Sequence, residues 1–379
     1  MLPQYKSLPF YHKLAMVLIS LIALGWLVIL AKDLLSPVIF SCLFSILLLP
    51  LASFLERRLR LPRGLASMLA VLILLAIVSL LIYVVGTQIG SLAEDWPQFK
   101  QQLASTLSDL QHWISRKYHI TIHKQLNYVQ SATDKVLESG GAIVGSTILS
   151  ISSMLLFLIF TFIFTFFFLA YRRLIMTFLV DVFMEENAAT VQEIVKNVQF
   201  ILRKYIIGLL IEMAVVATIV CLAFWALNVK YAILLGLLTG LFNIIPYIGI
   251  FTAMLLSVLI TFATAATAGK ILLVLISLIV THLIDSNVLL PVIVGSKVKI
   301  NPLVTVLGVV LGEMIWGISG MFLSIPVIAV MKIIFDRVES LRPWGMLLGE
   351  EANHAHYKGK AIELPVASPP EDSQPPASS

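Results

Sequence analysis

Apolar runs of about the length of a membrane span alternate with short polar segments along most of the chain. A helix needs about 20 apolar residues to cross the hydrocarbon core of a bilayer. Five such runs, each predicting a membrane-spanning helix, lie at 14–31, 34–55, 65–86, 146–170 and 206–227. The pattern therefore predicts an all-α, polytopic membrane protein.

The following stretch, 231–269, carries no charged side chain and is too long for one span. It is broken near its middle by the segment Asn243 to Gly249, which contains Pro246. Helix-breaking residues and a polar Asn at membrane depth are tolerated mainly where the backbone is buried in protein or lines a wet cavity. The break predicts a helical hairpin, and it makes transport or permeation the first functional hypothesis.

The last apolar third predicts one more span and a second hairpin. Residues 271–294 form a single run, whereas 300–331 is interrupted by Gly317 and Gly320. We therefore expect six full spans plus two re-entrant helical hairpins, which would suit an inverted repeat around a midplane site. The alternative is eight spans, with 231–263 and 302–331 each forming one long, tilted or broken crossing.

Basic residues lie beside the apolar runs and set the predicted orientation. They cluster at 57–63, at 172–173, at 297–299 and after residue 331. Under the positive-inside rule these segments are cytoplasmic, and so are both termini. The net charge of +5 is thereby explained without a nucleic-acid partner.

The same topology divides the chain into segments. Residues 1–86 hold three spans and 146–170 the fourth, while 206–335 form the predicted transport core. We expect three polar regions: an extracytoplasmic helical insert at 87–145, a cytoplasmic amphipathic element at 171–205, and a cytoplasmic tail at 336–379, disordered from about 362. The insert is interpreted as a packed helical hairpin, with a substrate-binding lid as the alternative.

Composition supports a membrane protein and narrows its chemistry. Hydrophobic residues make up 59% and charged residues 12% of the chain, against about 45–50% and about 25% in soluble domains. The sequence holds no Walker A pattern, which excludes ATP-driven transport by this chain alone. It also lacks the paired residues of intramembrane enzymes, so we predict no enzyme, no cofactor and no metal site.

Polar groups inside the predicted spans are costly, and each is a functional candidate by default. A carboxylate that binds H⁺ or Na⁺ as access alternates would couple ion movement to solute movement. The structural alternatives are Glu212 paired with Arg203 or Lys204, a neutral His282 bonded to Asp285, and a protonated Glu313 bonded to a neighbouring helix. The candidate pathway residues are Glu212, Asn243, His282, Asp285, Asn287 and Glu313.

Small and helix-breaking residues are candidates for turning the hairpins. Pro246 and Gly249 would turn the first hairpin, and Gly317 and Gly320 the second, freeing backbone carbonyls that could bind a cation or a hydroxyl-rich solute. Close helix packing is the commoner use of such glycines and stays open here.

The segment from Gly236 to Gly249 resembles the signature of the autoinducer-2 exporter family. The motifs Asn301-Pro302 and 312–326 follow in that family's order, and the ending 342–349 resembles its Bacteroidota branch. Glu313 stands where a second Gly is usual, and Ile250 where Pro is usual. The first departure would alter what passes through the site, and the second would relax the break.

The resemblance implies a multi-pass transporter of the bacterial inner membrane that exports a small hydrophilic solute, such as the autoinducer-2 signal, coupled to H⁺ or Na⁺. It also implies a homo-oligomer in the lipid bilayer. The alternatives are a Na⁺(Li⁺)/H⁺ antiporter and a passive homo-oligomeric channel. A channel would not need titrating carboxylates, so neutralising Asp285 and Glu313 separates it from a coupled transporter.

Overall fold

The computed structural model describes residues 10–95, 97, 101, 105, 153–183, 188–245, 248–265, 268–294 and 300–349. Most of the predicted insert, all of the predicted disordered tail and Pro246 lie outside these ranges. The described chain is helical, with an isolated antiparallel bridge between Ile300 and Gly349.

Twelve α-helices and one π-helix make up most of the described residues. Residues 339–341 add one 3₁₀ turn. The helices are α1 (Phe10–Leu30), α2 (Lys32–Arg58), α3 (Arg63–Glu94), α4 (Ser153–Ala170), α5 (Arg172–Val182), α6 (Ala188–Ala226), α7 (Ala232–Phe242), α8 (Ile248–Ala265), α9 (Ala268–Ile284), the π-helix (Asp285–Val294), α10 (Pro302–Trp316), α11 (Ile318–Arg337) and α12 (Arg342–Leu348).

The all-α, polytopic fold is confirmed. Within the described ranges, six helices are long and apolar enough to cross a membrane: Lys32–Arg58, Arg63–Leu92, Ser153–Ala170, Ala188–Ala226, Gly269–Ile293 and Ile318–Arg337. All the predicted full spans after the first overlap one of them. The first predicted span corresponds to α1, whose apolar part Leu14–Leu30 is shorter, whereas α11 is long enough to cross although we placed it in a hairpin.

The fifth span is part of a much longer helix than its apolar run. Helix α6 contains 39 residues, which is about 58 Å at 1.5 Å per residue and well beyond the roughly 30 Å hydrocarbon core. Its polar first half therefore extends past the membrane. The predicted boundary at 205/206 lies inside this one helix.

The first hairpin, α7 and α8, has one short arm. Helix α7 has 11 residues, about 16 Å, so it reaches only about half-way across a bilayer. A Cβ at Gly249 would overlap the Phe242 carbonyl, so only glycine lets α8 begin against the end of α7. How deep each hairpin sits in the membrane stays a prediction.

The second hairpin, α10 and α11, turns at Gly317. That glycine has φ 62° and ψ −139°, a conformation that L side chains rarely adopt. Gly312 and Gly320 then meet across the hairpin, where a Cβ on either would overlap the other's backbone. Gly317 thus lies at the turn between the two helices, whereas Gly320 lies inside α11 and allows close packing there.

Charged contacts collect at two opposite ends of the molecule. At one end Glu56 accepts from Arg63 (3.2 Å) and from Arg172, and Arg337 pairs with Glu193 at 2.7 Å. At the other end Lys230 lies 2.6 Å from Asp95. The basic clusters around 57–63, 172 and 337 therefore share one end, as the positive-inside rule requires.

Candidate functional site

Three polar side chains from distant parts of the chain meet inside the helix bundle. The Asn243 side-chain amide donates to Glu212 Oε1 at 3.2 Å and to Asp285 Oδ2 at 3.1 Å. Glu212 comes from the middle of α6, Asn243 from the turn after α7, and Asp285 from the start of the π-helix. One amide thus bridges two carboxyl groups.

Both carboxyl groups are almost entirely buried. Glu212 is 3% exposed and Asp285 5%, and both accept from the same amide nitrogen. Glu212 Oε2 and Asp285 Oδ1 have no hydrogen-bond partner among the described protein groups. Two buried carboxylates facing one another cannot both stay ionised without a proton or cation between them. This electrostatic repulsion favours a proton or cation at the pair.

Local irregularities in the helices place these side chains. Asn243 is the C-cap of α7, where the hairpin turns. Asp285 is the first residue of a ten-residue π-helix that contains Pro291, and a proline cannot donate the regular helical hydrogen bond. π-Helical turns inside α-helices are frequent at functional sites. Both breaks thus carry a residue of the site.

The pair lies at the wall of a cavity of about 690 Å³, within the usual range for ligand sites. Apolar side chains form much of its lining, and the polar residues are fewer. The polar residues among those lining it are Tyr205, Glu212, Asn243, His282, Asp285, Ser286 and Thr305, and the apolar ones are Leu209, Ile244, Ile245, Ile250, Phe251, Met254, Leu290, Ile300 and Ile325.

The structure separates the predicted pathway residues into two groups. Glu212, Asn243, Asp285 and His282 line the cavity, and the buried His282 Nδ1 has no partner among the described protein groups. Asn287 is exposed and donates to the carbonyl of Leu283, four residues earlier in the chain, at 2.8 Å. Glu313 is exposed on α10 and does not line the cavity.

Three polar cavity residues were not predicted, namely Tyr205, Ser286 and Thr305, and neither was the aromatic Phe251. Tyr205 lies two helical turns before Glu212 and so on the same face of α6, a signal that periodicity carries. Nothing in the sequence points to Phe251 or Thr305, because their helices meet the cavity only through tertiary packing.

Comparison with known proteins identifies the family. The family model described as AI-2E family transporter matches residues 14–340. The chain belongs to this family. It is 27% identical to the protein YrrI of Bacillus subtilis (strain 168) over 321 residues, covering 82% of this chain and 87% of the relative. It is 26% identical to AI-2 transport protein TqsA of Escherichia coli (strain K12) over 347 residues, covering 87% and 95%.

Family membership and the fold together make the chain a multi-pass membrane transporter and not an enzyme. The matched region contains every helix that lines the cavity. The resemblance noted in the sequence is thereby confirmed.

Proposed function

We propose that this protein exports a small hydrophilic solute across the bacterial inner membrane, driven by H⁺ or Na⁺ that binds at Glu212 and Asp285. The observation that carries the proposal is the buried carboxyl pair, bridged by Asn243, at the wall of a ligand-sized cavity. The name of the relative TqsA supports an autoinducer-2-like solute.

The carboxyl pair supplies a physical basis for coupling. A proton or cation on the pair removes the repulsion between two buried charges, so the loaded and empty states differ strongly in free energy. If the cavity opens to alternate sides, the ion enters from one side and leaves on the other, and solute binding beside it links the two movements.

The cavity and both termini are assigned to the cytoplasmic side in this proposal. Ile300 and Thr305, at the start of α10, line the cavity, and Ile300 bridges to Gly349 just after α12. That end of the molecule also holds Arg337 and its partner Glu193. The positive-inside rule then supports a cavity that faces the cytoplasm. Assembly as a homo-oligomer stays a prediction from the family resemblance.

A flux measurement tests the proposal. The purified protein is reconstituted in liposomes with a pH indicator inside, and gradients of autoinducer-2, Na⁺ or Li⁺ are imposed. We expect proton movement that requires the solute and disappears in Asp285→Asn. Proton movement with Na⁺ or Li⁺ alone would favour the antiporter.

The matched control is Glu313→Gln, which neutralises an exposed carboxylate outside the cavity. We expect this variant to keep the flux. Solute flux that ignores both the proton gradient and Asp285→Asn would overturn coupling and favour a passive channel.

A further inference from the structure

We propose that a second cavity, lined by the starts of α2 and α11 and by α4, binds the exported solute on the extracytoplasmic side and takes neutral, hydroxyl-rich molecules. This inference rests on the proposed function, because it takes the solute to be hydrophilic and to leave the cell. It deepens that function by naming a separate site for release and the chemical class of the solute.

The second cavity, of about 480 Å³, lies at the end of the bundle opposite to the basic clusters. Lys32 begins α2 and Ser319 lies in the first turn of α11, and both line this outer cavity. From there α2 runs to Arg57 and Arg58, and α11 runs to Arg337. The positive-inside rule places those arginines in the cytoplasm, so it predicts that the outer cavity is extracytoplasmic.

The outer cavity and the inner cavity at the carboxyl pair share a hairpin but none of their described lining residues. On α11, Ser319 lines the outer cavity and Ile325 the inner one, about 9 Å apart along the helix axis. On α10, Trp316 and Thr305 divide in the same way. A solute that leaves the inner cavity toward the outside can therefore follow this hairpin to the outer cavity.

Polar groups in the outer cavity are available to a ligand. Ser36 is 8% exposed and lines the cavity, and its hydroxyl has no hydrogen-bond partner among the described protein groups. Unlike the second oxygens of the carboxyl pair, this hydroxyl keeps accessible surface. Ser319, Lys32 and Asp33 likewise have no hydrogen-bond or ion-pair partner within the described ranges, and the two charged side chains are exposed.

Opposite charges side by side favour a neutral ligand. The Lys32 ammonium only donates and the Asp33 carboxylate only accepts, whereas a serine hydroxyl does both. Because a ligand hydroxyl also does both, a hydroxyl-rich molecule can bond to every one of these groups. A cation attracted by Asp33 is repelled by Lys32, and the reverse holds for an anion. The charge of the ligand therefore adds little, and its hydroxyl groups decide binding.

Aromatic rings form another wall of the outer cavity, contributed by Trp316, Phe157 and Phe160. Trp316 Nε1 donates to the Val28 carbonyl at 3.1 Å, which holds the indole in place. Phe157 packs edge-on against Phe40, with 5.5 Å between the ring centroids. The C–H face of a sugar-like ring buries favourably against such rings, while its hydroxyl groups reach the polar side chains. Apolar walls with a few polar groups are typical of small-molecule sites.

Protection of an introduced cysteine tests the site. Ser319→Cys is made in the full chain without Cys42 and Cys221, and spheroplasts on ice are treated with a membrane-impermeant maleimide. The probes are D-glucose, D-glucosamine and D-glucuronate, which share a ring and differ in charge, and free serine as a zwitterion. We expect glucose at about ten times its Kd to slow labelling about tenfold, by mass action. The charged sugars should protect no better. Labelling of Gly269→Cys, predicted at the same end of the molecule, should not change.

Two further substitutions place the protection in the outer cavity. Asp33→Asn and Trp316→Leu, each combined with Ser319→Cys, should remove most of the protection by glucose. Trp344→Leu should leave it unchanged, because Trp344 is an exposed tryptophan of α12, at the other end of α11. Size-exclusion profiles and melting temperatures confirm that the variants are folded, and Ser36→Cys serves as a second reporter.

Four results would overturn the inference. They are no protection by glucose at either reporter, better protection by a charged sugar or by serine than by glucose, reporters that react only after the membrane is opened, and protection that ignores both Asp33→Asn and Trp316→Leu.

The inference and the proposed function fail in different ways. Protection by glucose that depends on Trp316, without proton-coupled flux in liposomes, supports the outer site and rejects coupled transport. Proton-coupled autoinducer-2 flux that requires Asp285, without protection by glucose, rejects the outer site and leaves the proposed function intact.

Discussion

At the scale of single residues, the site depends on one amide between two carboxyl groups. Asn243 satisfies one oxygen of Glu212 and one of Asp285, and the second oxygen of each is buried with no hydrogen-bond partner among the described protein groups. Burying these two oxygens does not stabilise the fold, because each buried acceptor without a partner costs free energy. Such an arrangement points to binding.

Asp285→Asn distinguishes a functional from a structural role. The change removes one of two facing buried charges, so the melting temperature should stay the same or rise, while gradient-driven flux is lost. Melting curves and liposome flux on the same preparation check this. A large drop in melting temperature would assign Asp285 to the fold.

Asn243→Ala should lower stability by about 1–3 kcal/mol, because it leaves two more buried oxygens without a donor. In the double variant with Asp285→Asn the two effects should not add, since the residues are in contact. Unfolding in denaturant measures the unfolding free energies of the single and the double variants.

Asn287→Ala is the control for Asn243→Ala. Asn287 is an exposed asparagine whose side chain donates to the Leu283 carbonyl near the end of α9. We expect a change within about 0.5 kcal/mol. An equal loss of unfolding free energy in Asn243→Ala and Asn287→Ala would contradict a special role for Asn243.

At the scale of elements, the breaks in the helices position the site. Asn243 ends α7, which is about half as long as the hydrocarbon core is thick, and Asp285 begins the π-helix that contains Pro291. A regular helix in either place would turn these side chains to another face. The irregular backbone is therefore part of the site's construction.

Pro291→Ala restores a backbone donor and favours the α-helical register over the π-helix. We expect Asp285 to rotate away from Asn243, so that flux falls while the melting temperature stays the same or rises. Pro50→Ala is the control, since Pro50 is an exposed proline inside α2, away from the cavity. Full flux in Pro291→Ala would show that the π-helix does not position Asp285.

Gly249→Ala should destabilise the first hairpin by about 1–3 kcal/mol, the usual cost of overpacking. Its new methyl group would overlap the Phe242 carbonyl, which is backbone and cannot move aside. Gly269→Ala is matched to it, because no atom lies within 4 Å of the added Cβ there. Equal melting temperatures for Gly249→Ala and Gly269→Ala would show that the turn between α7 and α8 has room for a side chain at residue 249.

At the scale of the whole molecule, charge and hydropathy predict how the bundle sits in the membrane. The basic residues at the ends of α2 and α11 lie at one end, and Lys230 and Asp95 lie at the other. This separation gives a direct test of topology.

Single cysteines are introduced into a variant that lacks Cys42 and Cys221, and intact cells or spheroplasts are treated with a membrane-impermeant maleimide. Gly269→Cys should be labelled from outside, whereas Arg58→Cys and Arg337→Cys should react only after the membrane is opened. Labelling of Arg337→Cys from outside would reverse the assigned orientation of the cavity.

The sequence by itself determined the class of structure. Apolar length and the absence of charge predicted the helices and the first hairpin, and the rule for basic residues predicted which segments share an end. The cost of polar groups in a membrane also singled out Glu212, Asn243 and Asp285. These are local properties, readable from each segment alone.

Only the tertiary structure decided which candidates meet. Glu212 and Asp285 lie on helices that periodicity cannot pair, and Asn243 joins them from a turn 31 and 42 residues away in the chain. By contrast, Glu313 and Asn287 have equally suggestive positions in the sequence but lie outside the cavity. Hydrophobic periodicity fixes which face of a helix is apolar, whereas packing across long separations fixes which faces touch.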